Sequence, residues 1–223
     1  MSKFLIKGGT VITMEPGLPD GAPADLLVED DTIIAIGEIA AAEGAAVVDA
    51  TDRIVMPGLI DSHVHTWQTG LRGVAGDWTV PEYMRAMHRG LATRFRPDDI
   101  RVANLVGALS KLDAGTTTFA DWCHNNPTPE HTDAAIDGLE ESGARALFLH
   151  GSPKPDPKPG QKHFSEVPMP RSEIERLRSG RFSTDSRLVT MGLAILGPQY
   201  STHEICVEDY TLARELDLIV SAH

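Results

Sequence analysis

Short runs of apolar and β-branched residues alternate with turn signals over the first part of the chain. Alternation of this kind predicts β-strands. The predicted strands are residues 4–7, 10–13, 26–29, 32–35 and 47–48. Gly8-Gly9 and Asp30-Asp31 are turn-type dipeptides between such strands. We therefore predict a small antiparallel, β-sandwich-like module over residues 1–53, and this segment carries no catalytic constellation.

From Ile54 onward the pattern changes to a repeated order of strand, loop and helix. Apolar, β-branched stretches predict strands at 54–62, 115–121, 144–149, 187–196 and 218–221. Helical spacing of apolar residues predicts helices at 101–112, 131–142, 171–179 and 206–216. Five such strands imply right-handed crossovers and a parallel sheet covered by helices. We predict an α/β fold over residues 54–223, a (β/α)8 TIM-type barrel that is incomplete, with about five βα units.

The length of this second region limits what it can form. A complete barrel takes about 250 residues, whereas about 170 residues follow Arg53. We therefore expect the chain to be part of a longer polypeptide. Residues 153–170 contain six prolines and predict a long irregular loop on the catalytic face.

Composition and charge narrow the function classes. The 223 residues are 41% hydrophobic and 23% charged, as in soluble globular proteins. No apolar run approaches the ~20 residues of a membrane span, and the N-terminal apolar stretch is too short for a secretory signal. We expect a cytoplasmic protein without a membrane partner. Two cysteines, Cys123 and Cys206, exclude a disulfide framework. A formal charge of -12 argues against nucleic-acid polymers as partners.

The strongest chemical signal is the run Met56-Pro-Gly-Leu-Ile-Asp-Ser-His-Val-His65. Side chains alternate between the two faces of a strand, so His63 and His65 point to the same side and Val64 points to the other. Imidazole suits zinc, iron and similar divalent ions, and barrel enzymes keep their reactive groups at the carboxyl ends of their strands. The run therefore predicts a metal site at the end of the first barrel strand.

The segment Pro57 to His65, with a β-module before it and βα units after it, resembles the amidohydrolase superfamily. That superfamily includes cytosine, guanine and adenosine-type deaminases, hydantoinases and triazine hydrolases. The resemblance implies that His63, His65 and a histidine ending strand five, His223, bind the metal. It also implies an aspartate ligand and a proton-shuttle glutamate, both beyond residue 223. Since no lysine occurs in residues 196–201, the resemblance implies one divalent ion, zinc or alternatively iron.

The activity implied by the resemblance is that of a metal-dependent hydrolase. It would activate water to attack a C–N bond, deaminating a purine, pyrimidine or triazine-like heterocycle. Gln68 follows the second histidine by three residues, a spacing similar to that of guanine deaminases, where a glutamine binds the ring. A loop-capping role is the alternative for Gln68. The other activities that remain open are amide or carbamate cleavage, chloro-triazine hydrolysis, and a catalytically inactive half-barrel with a binding or structural role.

Further residues are candidates for contact with a small-molecule substrate, and a homo-oligomer is left open. Aromatic walls suit flat rings. Asp121 ends the second strand, and Gln199 follows the fourth, where several similar deaminases carry a histidine instead. The predicted substrate contacts are Gln68, Trp67, Asp121 and Gln199. His124, His150 and His203 also follow strands, whereas we expect His88, His131 and His163 to be exposed.

Overall fold

The structure is a computed structural model that describes residues 2–18 and 20–223. The chain divides into two compact units, Met1–Gly58 and Leu59–His223. This division lies slightly after the predicted boundary at 53/54, because strand Ile54–Val55 pairs with the first strand of the N-terminal unit. The prediction of one strand over 54–62 is wrong, since the first strand ends at Val55 and a separate strand begins at Leu59.

The described strands of the N-terminal unit form one mixed sheet. They are β1 Lys3–Val11, β2 Ala22–Glu29, β3 Thr32–Gly37, β4 Ala46–Asp49 and β5 Ile54–Val55. The order is β3-β2-β1-β4, and β5 also pairs with β1. β1 to β3 are antiparallel neighbours, but β4 and β5 run parallel to β1. The prediction of a purely antiparallel module is therefore wrong, and the β-sandwich is not confirmed by these strands.

Gly8 and Gly9 lie inside β1 and do not connect two strands. The register between β1 and β2 shifts between Ile6 and Gly9. Gly8 has φ +80°, which residues with a Cβ rarely adopt, and its N–H donates to Asp25 Oδ1 at 2.8 Å. The glycine pair therefore allows one continuous strand to bulge.

Five parallel strands form the sheet of the C-terminal unit, in the order β10-β9-β8-β7-β6. They are β6 Leu59–Val64, β7 Thr116–Cys123, β8 Arg145–Gly151, β9 Val189–Ile195 and β10 Ile219–Ala222. The helices between them are α1 Val80–Tyr83, α2 Pro97–Asp113, α3 Pro129–Ser142, α4 Arg171–Ser179 and α5 His203–Glu215. The predicted βα order and the parallel sheet are confirmed. Residues 153–170 are irregular apart from the short 3-10 helix Phe164–Glu166.

The two faces of this sheet bury different residues. The larger core lies between sheet and helices and includes Phe119, Phe148 and Leu193 with Ile136 and Leu177. Trp122, Leu149 and Ala194 form a small separate cluster, with Ala120 and Leu147 packed against it. Because neighbouring residues on a strand face opposite ways, Trp122 lies on one face of β7 while Phe119 and Asp121 lie on the other. In the described part of the chain, no helix is both long and apolar enough to span a bilayer.

Helix α1 continues directly into a π-helix, Met84–His88. The N–H of Arg89 donates to the carbonyl of Met84, five residues earlier, at 3.1 Å. The side chains of Tyr83 and His88 meet at the ends of this wide turn, with ring centroids 5.1 Å apart. π-helical turns are rare and occur frequently at functional sites.

Asp209 on α5 connects the helix layer to the proline-rich loop. Its side chain is 2% exposed, and Oδ1 accepts the N–H of Met169 at 2.8 Å. Burial raises the pKa of this carboxyl from 3.8 to about 6. The folded protein therefore binds this proton more tightly than the unfolded chain does. Through this group, stability falls as the pH rises from about 4 to about 6.

We predict that Asp209→Asn raises the free energy of unfolding at pH 7 by roughly 1–2 kcal/mol. Asparagine keeps an oxygen for the Met169 N–H but carries no charge to desolvate. Urea unfolding between pH 4 and pH 7 measures the effect, and the variant should lack the decline across that range. Asp209→Ala is the control, which loses the acceptor and should be less stable at every pH. An Asn variant with the wild-type pH slope would contradict the assignment.

Candidate metal centre

Three histidines meet at the carboxyl ends of the two outer strands. His63 and His65 come from the end of β6, and His223 follows β10. One ring nitrogen of each can be chosen so that all three lie within 4.8 Å of one another. The Nε2 atoms of His63 and His223 are 3.1 Å apart. The strand alternation expected for His63 and His65 brings their rings to a centroid distance of 4.9 Å.

The protein environment keeps two of these imidazoles neutral. His65 Nδ1 lies 2.7 Å from the carbonyl oxygen of Trp122. Since a carbonyl only accepts, Nδ1 carries the proton and Nε2 keeps its lone pair. Burial lowers the pKa of His65 to about 4. Burial, followed by the charge of His63, lowers the pKa of His223. Neutral imidazole is the form that binds a metal.

The spacing of the donor atoms fits a divalent cation. Two imidazole nitrogens bound tetrahedrally to zinc at 2.0–2.1 Å would lie about 3.3 Å apart. The 3.1 Å between His63 and His223 is close to that distance. Without an ion between them, two neutral nitrogens at 3.1 Å would need one to be protonated and to donate. The described residues contribute three imidazoles and no carboxylate to this cluster.

A cavity of about 330 Å³ adjoins the cluster. Its walls combine flat aromatic rings, aliphatic side chains and a few polar groups, as in small-molecule sites. The lining residues are His65, Val80, Tyr83, Met84, His88, Trp122, His124, Lys154, Phe164, Ile195, Leu196, Tyr200 and His223.

Two further histidines, His124 and His88, lie next to the cluster. His124 is buried and stacks on His65, with ring centroids 4.5 Å apart and planes 2° from parallel. The indole N–H of Trp67 donates to His124 Nδ1 at 2.8 Å, which leaves the proton of neutral His124 on Nε2. Burial lowers the pKa of His124 well below its usual value and that of His88 to about 3. These rings are therefore neutral polar groups.

The two predicted glutamine contacts lie at different distances from the cavity. Gln68 is half-buried, and its amide donates to the hydroxyl of Tyr83, which lines the cavity, at 2.5 Å. Gln199 is exposed and is absent from the cavity wall, where its neighbour Tyr200 lies instead. Gln68 thus lies one side chain behind this wall, and substrate contact by Gln199 stays a prediction that the cavity lining does not support.

Trp67 and Asp121 face away from the cavity. Trp67 is fully buried and packs against Phe95, with ring centroids 5.5 Å apart. The Asp121 carboxylate accepts the N–H of Thr66 at 3.0 Å and the Asn104 amide at 3.3 Å, on the helix side of β7. Neither side chain lines this cavity, and substrate contact by these two residues stays a prediction. Trp67 orients His124, and Asp121 anchors the chain directly after His65.

The sequence does not predict several of the residues that line the cavity. His88 was expected to be exposed, but it is 4% exposed and lines the cavity. Lys154 and Phe164 enter from the proline-rich loop, whose position the sequence predicts but whose inward residues it does not. Of the other strand-end histidines, His124 lines the cavity. His150 is buried near Thr132 of α3, and His203 is exposed at the start of α5.

Fold and site together define a βα-barrel protein with a histidine cluster at the carboxyl ends of its strands. The sequence model of the Amidohydrolase family matches residues 54–223. The chain belongs to the amidohydrolase family, which confirms the resemblance carried by the segment from Pro57 to His65.

The chain matches part of the length of several curated deaminases. A 5'-deoxyadenosine deaminase of Methanosarcina acetivorans is 31% identical over 151 residues, covering 68% of this chain and 34% of that protein. A 5-methylthioadenosine/S-adenosylhomocysteine deaminase of Thermococcus kodakarensis is 31% identical over 179 residues, covering 80% and 40%. The chain thus spans less than half the length of these relatives.

Solved structures share the fold. An atrazine chlorohydrolase from Arthrobacter aurescens, complexed with zinc, superimposes with a TM-score of 0.82 at 23% identity, covering 99% of this chain and 52% of that one. A zinc-bound adenosine deaminase from Xanthomonas campestris gives 0.68 at 21% identity, covering 100% and 49%. This likeness shows the TIM-barrel fold, of which the five-stranded parallel sheet is a part.

Proposed function

We propose that this chain forms the first part of the active site of a metal-dependent hydrolase that deaminates an aminated nitrogen heterocycle. The observation that best supports this proposal is that His63, His65 and His223 converge beside a cavity with aromatic walls. Family membership and the deaminase relatives support the same activity. A purine, pyrimidine or triazine-like ring is small and flat enough for about 330 Å³.

We propose that the three histidines bind one divalent ion, zinc or iron. When bound, such an ion supplies activated water near neutral pH for attack on an electron-poor ring carbon. Trp122 holds His65 through its carbonyl and fixes the nitrogen that binds. Its own ring stacks on His223 at 4.2 Å and its indole N–H donates to Ser221 at 3.1 Å. One residue, through its backbone carbonyl and its ring, thus positions ligands from both outer strands.

The cavity wall supplies groups that orient a ring and exclude water. The aliphatic side chains of Val80, Ile195 and Leu196 surround the polar groups. His124 presents an Nε2–H donor for a ring nitrogen or oxygen, since its Nδ1 is occupied by Trp67. The Tyr83 hydroxyl is held by Gln68. Together they suit the alternating donors and acceptors at the edge of an aminated heterocycle.

Two features outside the cavity support further parts of the proposal: the net charge supports a small-molecule partner, and the N-terminal sheet has exposed apolar residues. A formal charge of -12 disfavours a nucleic-acid polymer. On one face of the N-terminal sheet, Ile33, Ile36 and Val48 are 54%, 40% and 47% exposed. These exposed apolar side chains support our proposal that this sheet is one layer of a β-sandwich.

A substrate screen tests the proposed reaction. The full-length protein, loaded with zinc, is incubated with aminopurines, aminopyrimidines, aminotriazines and a chloro-triazine while the release of ammonia and chloride is measured. We expect ammonia from at least one class and no turnover after chelation. Chloride release from a chloro-triazine without ammonia from any ring would instead favour dechlorination. Tight metal binding without any turnover would favour a binding role.

A further inference from the structure

Lys154 is a buried lysine whose charge has no partner among the described residues. It follows β8 at the start of the proline-rich loop and is 8% exposed. Its ammonium lies 5.1 Å from the centroid of the Trp122 ring, within the range of a cation–π contact. No described side chain or carbonyl accepts a hydrogen bond from it, and no described carboxylate pairs with it. Such a charge costs stability unless something complements it.

The nearby carboxylates are already engaged elsewhere. Asp156, two residues along the loop, pairs with Arg89 at 3.0 Å. Asp121 faces Thr66 and Asn104 on the helix side of β7, and Asp209 binds the Met169 N–H. The polar groups that share the cavity with Lys154 are four imidazoles and the hydroxyls of two tyrosines. The described wall of the cavity therefore contains an ammonium and no anion.

We propose that Lys154 binds an anionic oxygen on the heterocyclic substrate, either a carboxylate or an ionised ring oxygen. This inference rests on the proposed function, and it names the chemical class of heterocycle that the site selects. A charge-assisted hydrogen bond from the ammonium to such an oxygen supplies the missing counter-charge. The same contact would hold the ring beside Trp122, whose indole the ammonium already faces.

The site also has an electrostatic reason to prefer an anion. Burial lowers the pKa of Lys154 only to about 8, so the group is mostly protonated at neutral pH. A divalent ion at the three histidines would add positive charge to the same cavity. An anionic ligand would pair directly with the ammonium, whereas a neutral ligand would leave it without a counter-charge among the described residues. Lys154 would therefore determine specificity through its charge.

Equilibrium binding with matched ligands tests this role without requiring turnover. The probes are 3-aminopyrazine-2-carboxylate against aminopyrazine, and urate against hypoxanthine; in each pair only the first is anionic at pH 7. We expect the full-length, zinc-loaded protein to bind at least one anion at least about tenfold more tightly than its neutral partner. Lys154→Met should markedly reduce that preference, leaving only the part due to the ion, and keep the affinity for the neutral partner within about twofold. Lys154→Arg should retain the preference.

Each outcome of this experiment decides the proposal. Loss of preference for the carboxylate alone assigns a carboxylate ligand, and loss for urate alone assigns an ionised ring oxygen. Equal binding of anionic and neutral probes by the wild type would overturn the proposal, as would a Lys154→Met variant that keeps the full wild-type preference. Thermal unfolding and bound zinc check that the variants fold. A failed ammonia screen with a charge-dependent binding preference would reject deamination while retaining the role of Lys154.

Discussion

Replacing His63 or His65 with alanine is expected to abolish metal retention by the full-length protein. The two imidazoles lie side by side at the end of β6, and the Nε2 of His63 is 3.1 Å from that of His223. Removing one leaves too few neutral nitrogens to replace the water around a divalent ion. Changes to residues that merely support ligands cost 10–100-fold in metal affinity, so loss of a ligand should cost more than about 100-fold. Elemental analysis after dialysis and competition with a chelator measures this.

Val64→Ala is the matched control, because Val64 lies between the two histidines and packs against the helix-side core. It should retain metal and lose about 1 kcal/mol of stability through a smaller apolar contact. The assignment fails if both histidine variants hold metal as tightly as the wild type. Equal metal loss in the Val64 variant would instead indicate a general loss of structure.

Gly138→Ala is expected to destabilise the fold by about 2–3 kcal/mol, although alanine is the better helix former. Gly138 is buried in α3, facing α2. A methyl group there would overlap the carbonyl oxygen of Arg101 and lie 3.1 Å from the backbone nitrogen of Leu105. Both are backbone atoms of a regular helix, so relief requires the two helices to separate. Urea unfolding followed by circular dichroism measures the loss.

Ala134→Gly, in the same helix, is the control for ordinary propensity. It should cost about 0.5–1 kcal/mol, the usual penalty for glycine in a helix. The two substitutions exchange the same residues in opposite directions, yet both should destabilise. A Gly138 variant more stable than the wild type would show that α2 and α3 are not in close contact there.

The sequence predicts the barrel part of the fold well, because period and length separate its strands from its helices. Helix Arg171–Ser179 begins and ends as predicted, and each later strand lies within about two residues of its expected position. The errors occur where local signals have two interpretations. Gly8-Gly9 is a turn signal and also a bulge signal, and a bulge is what β1 contains. Only the pairing with β2 decides between them.

The site is predictable in part, for a similar reason. Strand alternation places His63 and His65 together, and family resemblance adds His223, which no local pattern would indicate. Alternation also makes Trp122 and Asp121 face opposite ways, but only the structure shows which of the two faces the cavity. Lys154 and His88 depend on how an irregular loop and a π-helix pack, and neither has a periodic sequence signal.

Tyr83 and His88 line the cavity from the two ends of the π-helix Met84–His88. Their relative position depends more on the number of residues in this turn than on the type of residue. Within an α-helix, each residue turns the chain by about 100°, so deleting one residue between Tyr83 and His88 would rotate one of these side chains away from the other. A substitution within the turn leaves the spacing intact. A variant shortened by one residue in this turn would therefore move His88 away from Tyr83 and out of the cavity wall. The strands of the sheet would keep their register.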